Sequence, residues 1–79
     1  MSKEVIILSD EEKRHLKELH LVNKNDSRFC DKIKSILLFS EGYSANQIAK
    51  IILIDKSSVY RYKKKYLKSG LNGLLESNS

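Results

Sequence analysis

Between Lys56 and Ser69 the chain reads KSSVYRYKKKYLKS, with six basic side chains and no acid. Successive helical residues are about 100° apart. Val59, Tyr62 and Tyr66 then share one side of a helix, the side suited to a core. Ser57, Arg61, Lys64 and Lys68 line the opposite side, with Tyr60 at its edge. Solubilising faces usually mix the two signs of charge. A hydroxylated, purely cationic stripe instead suits a polyanion, and a helix carrying it has the dimensions to enter the major groove of double-stranded DNA. Residues near the N-terminus of such a helix reach base edges. Here those are Lys56, Ser57, Tyr60 and Arg61, with Arg61 the candidate for a two-pronged contact to guanine; Ser58 beside them is a further DNA-binding candidate. Lys64, Lys65 and Lys68 follow as candidates for phosphate contact. Ser44, at the start of the preceding helix, would offer backbone N–H groups to a further phosphate.

The distribution of charge supports this. Residues 1–55 carry nine basic and nine acidic side chains, and residues 56–79 carry six basic and one acidic, so the net +5 lies entirely in the last third. Such a local excess attracts nucleic acid or, less well, an anionic membrane. No apolar run approaches the roughly 18 residues that would cross a bilayer, and the N-terminal apolar stretch is too short for a signal peptide. One cysteine, Cys30, excludes an internal disulfide and fits a reducing cytoplasm.

Other residues with chemical capacity lack the right spacing. His15 and His20 are five apart and fall on different helix faces, whereas paired zinc ligands on a helix need i, i+4. Cys30 reads as a small core or boundary residue. Asp26, Asp31 and Glu41 lack the pattern of a calcium loop. The expectation is therefore a binding domain with no catalytic residues, metal, cofactor or small-molecule ligand.

The elements that must position the stripe can be read from their boundaries. With 79 residues, no Pro and three Gly, the chain is read as one all-α domain, 1–79, of four to five short helices. An extended arm, 1–8, precedes a helix at about 9–23, opened by a Ser9/Glu12 capping box. Leu16 and Leu19 form its narrow apolar stripe, with Val22 nearby. Asp26 or Ser27 caps a second helix, about 27–41, whose Phe29, Ile33, Ile36 and Leu37 recur at the helical period. Gly42 ends it. A second capping box, Ser44/Gln47, opens a third helix, about 44–52, with Ile48, Ile51 and Ile52 as its apolar face. Asp55 caps the fourth, about 56–68, and Gly70 closes it. Leu71-Asn72-Gly73-Leu74-Leu75 reads as a turn with apolar anchors in a tail, 71–79. The third and fourth helices, joined by a short turn, read as a helix-turn-helix.

From Ile36 onward the sequence resembles the N-terminal helix-turn-helix of bacterial insertion-sequence transposases of the IS630 and Tc1/mariner-like superfamily. The resemblance rests on ILLFSEGYS (36–44), QIA (47–49), SSVYRY (57–62), Tyr66 and GLNGLL (70–75), and the opening LSDEE (8–12) is also similar. It implies a homeodomain-like bundle that targets specific double-stranded DNA. In that family a catalytic domain with three metal-binding carboxylates follows, and this chain is expected to hold the targeting part alone. Three positions depart from the family's habit: Leu53 stands where the turn often has Gly, Asp55 where the capping residue of the recognition helix is usually Ser, and Tyr62 where Trp is frequent. A free-standing transcription regulator of repressor or antitoxin type is the second reading, and a helical protein-interaction module with a basic face the third. The apolar arm Val5-Ile6-Ile7-Leu8 either covers its own core or pairs with a copy of itself in a homodimer.

Overall fold

The computed structural model describes residues 6–76, which form four helices: α1 (Asp10–Val22), α2 (Ser27–Ser40), α3 (Ala45–Ile52) and α4 (Lys56–Glu76). No strand occurs among them. Residues 1–5 of the expected arm and 77–79 of the expected tail lie outside the described residues.

Helix starts are set by side chains that satisfy otherwise orphaned backbone groups. At α1 the Glu12 N–H donates to Ser9 Oγ at 3.1 Å and the Ser9 N–H donates to Glu12 Oε1 at 2.9 Å, completing the capping box. Asp10, Glu11 and Glu12 lie in the first turn, where the helix dipole favours negative charge. At α2 the cap is Asp26, whose Oδ1 accepts from the Phe29 N–H at 3.1 Å. The end of α2 relies on Gly42 at φ 102°. That turn lets the Gly42 N–H donate to Phe39 O and the Tyr43 N–H to Leu38 O, both at 3.1 Å, the paired bonds of a Schellman motif.

α2 is the centre of the molecule and packs against α1, α3 and α4. Its Ile33 and Ile36 are fully buried, together with Leu16 of α1, Ile48 of α3 and Val59 and Leu74 of α4. Each such side chain contributes roughly 1.5–3 kcal/mol when removed from water. Ile6 and Leu8 are buried in the same core while Ile7 between them is exposed, so the described part of the arm covers this domain's own core.

Three local expectations are corrected. Val22 is 81% exposed, because α1 touches the core along the narrow line of Leu16 and Leu19 and ends one turn later. Ile51 is 51% exposed, and only Ile48 of the α3 isoleucines is fully buried. Residues 71–76, read as a turn and tail, are helical. Gly70, at φ 71° and ψ −167°, breaks α4 into a long segment and a short one. Gly70 does end the regular helix, but the chain then restarts one and drops Leu74 into the core. Gly73 is required there because a Cβ at that position would overlap the Ser69 side chain.

Candidate nucleic-acid interface

α3 and α4 are held in a fixed relation by their own core residues and by the three residues between them. Ile48 and Val59 are both fully buried in the shared core, and Ile54 packs against it from the turn. Leu53 takes the left-handed conformation, φ 61° and ψ 49°. It allows the Ile54 N–H to donate to Ala49 O at 3.1 Å, closing α3 as a glycine would. Leu53 is the one non-glycine residue at positive φ among those described, and it is 87% exposed. Asp55 precedes α4, and its carbonyl accepts from the Ser58 N–H at 3.1 Å and the Val59 N–H at 3.3 Å.

Around α4, burial follows the expected wheel. Val59 is buried and Tyr62 and Tyr66 are half-buried against the core. Lys56, Ser57, Tyr60, Arg61, Lys64 and Lys68 are exposed on the other side, with Leu67 among them. Two candidates stand off this open face: Ser58 and Lys65 are half-buried. Lys63 is half-buried as well, its Nζ over the Phe39 ring. Ser44 is exposed at the start of α3, and its side chain is engaged locally. The Gln47 N–H donates to Ser44 Oγ at 3.2 Å and the Ser44 N–H donates to Gln47 Oε1 at 2.9 Å.

Two basic residues that sequence reasoning passed over lie on α2, toward α4. Lys32 is buried, at 7% exposure, and Arg28 stands one helical turn earlier. Burial pushes the Lys32 ammonium below the ordinary lysine value, and the cations of Lys65 and Arg28 push the same way, while Asp26 opposes them. Burial raises the Tyr62 phenol above its ordinary value; Asp31 adds to this, and Arg28 and Arg61 pull it back. Tyr66 is raised by burial and by Glu12. The i, i+4 spacing of Arg28 and Lys32 was the available signal, obscured because charges over residues 1–55 balance to zero.

Elsewhere, Cys30 is buried and its thiol donates to Asn23 O at 3.2 Å, at the end of α1. His15 is exposed and His20 half-buried. Among the described residues no three His, Cys, Asp or Glu side chains gather around a common point, and no helix is long and apolar enough to cross a membrane.

The family model described as winged helix-turn-helix matches residues 32–79, more than half of the chain, and spans α3, the turn and α4. The wing of that description is not built by the described residues, which contain no strand. No curated protein and no solved structure matches the chain. With two helices locked through Ile48 and Val59 and a cationic face left open on the second, this chain belongs to the winged helix-turn-helix family of DNA-binding domains.

Proposed function

We propose that this domain binds specific double-stranded DNA as the targeting part of an insertion-sequence transposase, and that it performs no chemistry itself. The open face of α4 carries this reading: Ser57, Tyr60, Arg61, Lys64 and Lys68 are all exposed while Val59 anchors the opposite side. In the major groove, Lys56, Ser57, Tyr60 and Arg61 reach base edges, with Arg61 bidentate to a guanine. Lys64 and Lys68, further along, meet phosphates. The transposase setting is supported by the resemblance over residues 36–75.

A second reading, a dimeric transcription regulator, is favoured by one surface feature. Leu37, Leu38, Ile51, Ile52 and Leu53, together with Lys34, line an open and mainly apolar groove beside α2 and α3, which subunit contact would cover. Selection of bound duplexes from a random pool separates the two. An asymmetric site supports the targeting role. A palindrome with half-sites about one helical turn apart supports the regulator, and the absence of any enriched sequence contradicts both.

A further inference from the structure

We propose that a second copy of this chain packs on the groove beside α2 and α3, with the two α2 helices antiparallel about a two-fold axis. The proposal deepens the dimeric reading above and rests on it.

The groove holds apolar side chains that the domain leaves in water. It encloses about 550 Å³ and is lined by Lys34, Leu37 and Leu38 of α2, Ile51 and Ile52 of α3, and Leu53 of the turn. Ile51 is 51% exposed and Leu53 is 87% exposed. A contiguous exposed apolar patch with a polar edge marks a contact surface. The backbone of Leu53 is a separate observation. It holds a φ of 61°, a strain that glycine at the same position would avoid. Inside the domain the leucine side chain buries almost nothing in return. Burial against another molecule would offset the strain, and backbone outliers of this kind gather at functional surfaces.

The outward face of α2 selects a second copy as that molecule. Lys34, Leu38 and Glu41 follow one another at spacings of four and three, within about 60° on the helix. Glu41 is the C-cap and keeps the right-handed helical conformation, so it stays on the same wheel. Lys34 and Leu38 are half-buried and Glu41 is exposed. The face therefore has a cation at one end, an anion about 10 Å along the axis, and Leu37 and Leu38 midway. A two-fold contact matches a surface with itself, residue i meeting j and j meeting i. Two antiparallel copies of α2 set Lys34 of each opposite Glu41 of the other, with the leucines at the axis. Parallel copies would set like charges together.

Glu41 already has a neighbour, since its Oε2 lies 3.6 Å from Lys13 Nζ. That pair is solvent-exposed and weak, and a carboxylate accepts at both oxygens, so Glu41 can hold a second cation. The lining residues belong to α2, α3 and the turn between α3 and α4. Pairing through them leaves the cationic face of α4 open for DNA.

The test is sedimentation equilibrium of the full chain from about 10 μM to 1 mM, where weak association is resolved. The chain should dimerise within this range. Lys34→Glu and Glu41→Lys should each weaken the dimer by roughly tenfold or more, because each turns two attractive pairs into two repulsive ones. The double variant Lys34→Glu/Glu41→Lys should recover most of the loss. An equimolar mixture of the two single variants should form the heterodimer in preference to either homodimer. Leu53→Asp should abolish association, and Lys13→Ala should leave it unchanged. Thermal unfolding reports whether each variant folds, and the high exposure of Leu53 makes its substitution the safest for folding. A monomer throughout the range overturns the proposal together with the dimeric reading, and leaves the groove to a different protein. A dimer that Leu53→Asp and both charge reversals leave intact overturns the proposed contact and keeps the dimeric reading. A dimer lost in Leu53→Asp but indifferent to both charge reversals overturns the antiparallel pairing.

Discussion

The Nζ of Lys63 lies 5.0 Å from the centroid of the Phe39 ring, joining α4 to the middle of α2 by a cation–π contact. This separates one lysine of the basic run from the others: its stem covers the core and its charge is directed toward a ring. Lys63→Met keeps the stem and removes the charge, and should cost about 0.5–2 kcal/mol of stability while leaving the salt slope of DNA binding unchanged. Lys64→Ala should do the reverse, with little change in stability and a slope shallower by about 1. Paired denaturation and binding titrations check this, and a shallower slope for Lys63→Met would move that lysine into the interface.

Leu53 is a strained residue that gains little from packing. A left-handed conformation costs an L-residue roughly 1–2 kcal/mol, and at 87% exposure its side chain buries almost nothing in return. Leu53→Gly should therefore stabilise the domain by about 0.5–1.5 kcal/mol, glycine's greater freedom in the unfolded chain offsetting part of the relief. Urea unfolding measures the change. A loss of stability would show that the leucine packs in solution.

Gly73 holds the short segment after Gly70 against the long part of α4. A methyl group there collides with Ser69, so Gly73→Ala should push residues 71–76 away and uncover Leu74. The expected loss approaches that of Leu74→Ala, about 2–5 kcal/mol. Combining the two should cost far less than their sum, because both act through the same docking. Simple additivity in a double-mutant cycle would contradict this.

Alkaline pH should weaken the fold through two tyrosines. Tyr62 and Tyr66 both have raised pKa values in the folded state, first from burial and then from Asp31 and Glu12 respectively. Their neutral forms are favoured by folding, so their contribution is complete below the unfolded value near 10 and is lost as pH rises through the folded values. Lys32, depressed by burial, acts in the opposite direction: its contribution is present above the unfolded lysine value near 10.5 and falls away at lower pH. Unfolding free energy measured across this range should therefore fall less steeply for the Tyr62→Phe/Tyr66→Phe variant than for the parent. An unchanged alkaline limb would remove the tyrosines from the explanation.

What could be read from the residues depended on how local its cause was. The capping boxes Ser9/Glu12 and Ser44/Gln47 are complete within four residues, so they are visible in the chain and form in the structure. The open face of α4 was legible because one helical period fixes it. Residues 71–76 were not. Gly70 marks a positive φ correctly, but whether the chain then wanders or restarts a helix depends on Leu74 finding the core and on the fit of Gly73 against Ser69. Val22 and Ile51 have the right type and spacing for a core and are exposed, because the neighbouring elements do not extend over them.

The most direct measurement is the affinity of the intact domain for duplex DNA across a range of salt concentrations. With about 5–8 phosphates neutralised by α4 and its neighbours, log affinity should fall linearly with log salt at a slope of very roughly −5 to −7. A flat response would contradict the account, because a cationic face that binds DNA must release counterions in doing so.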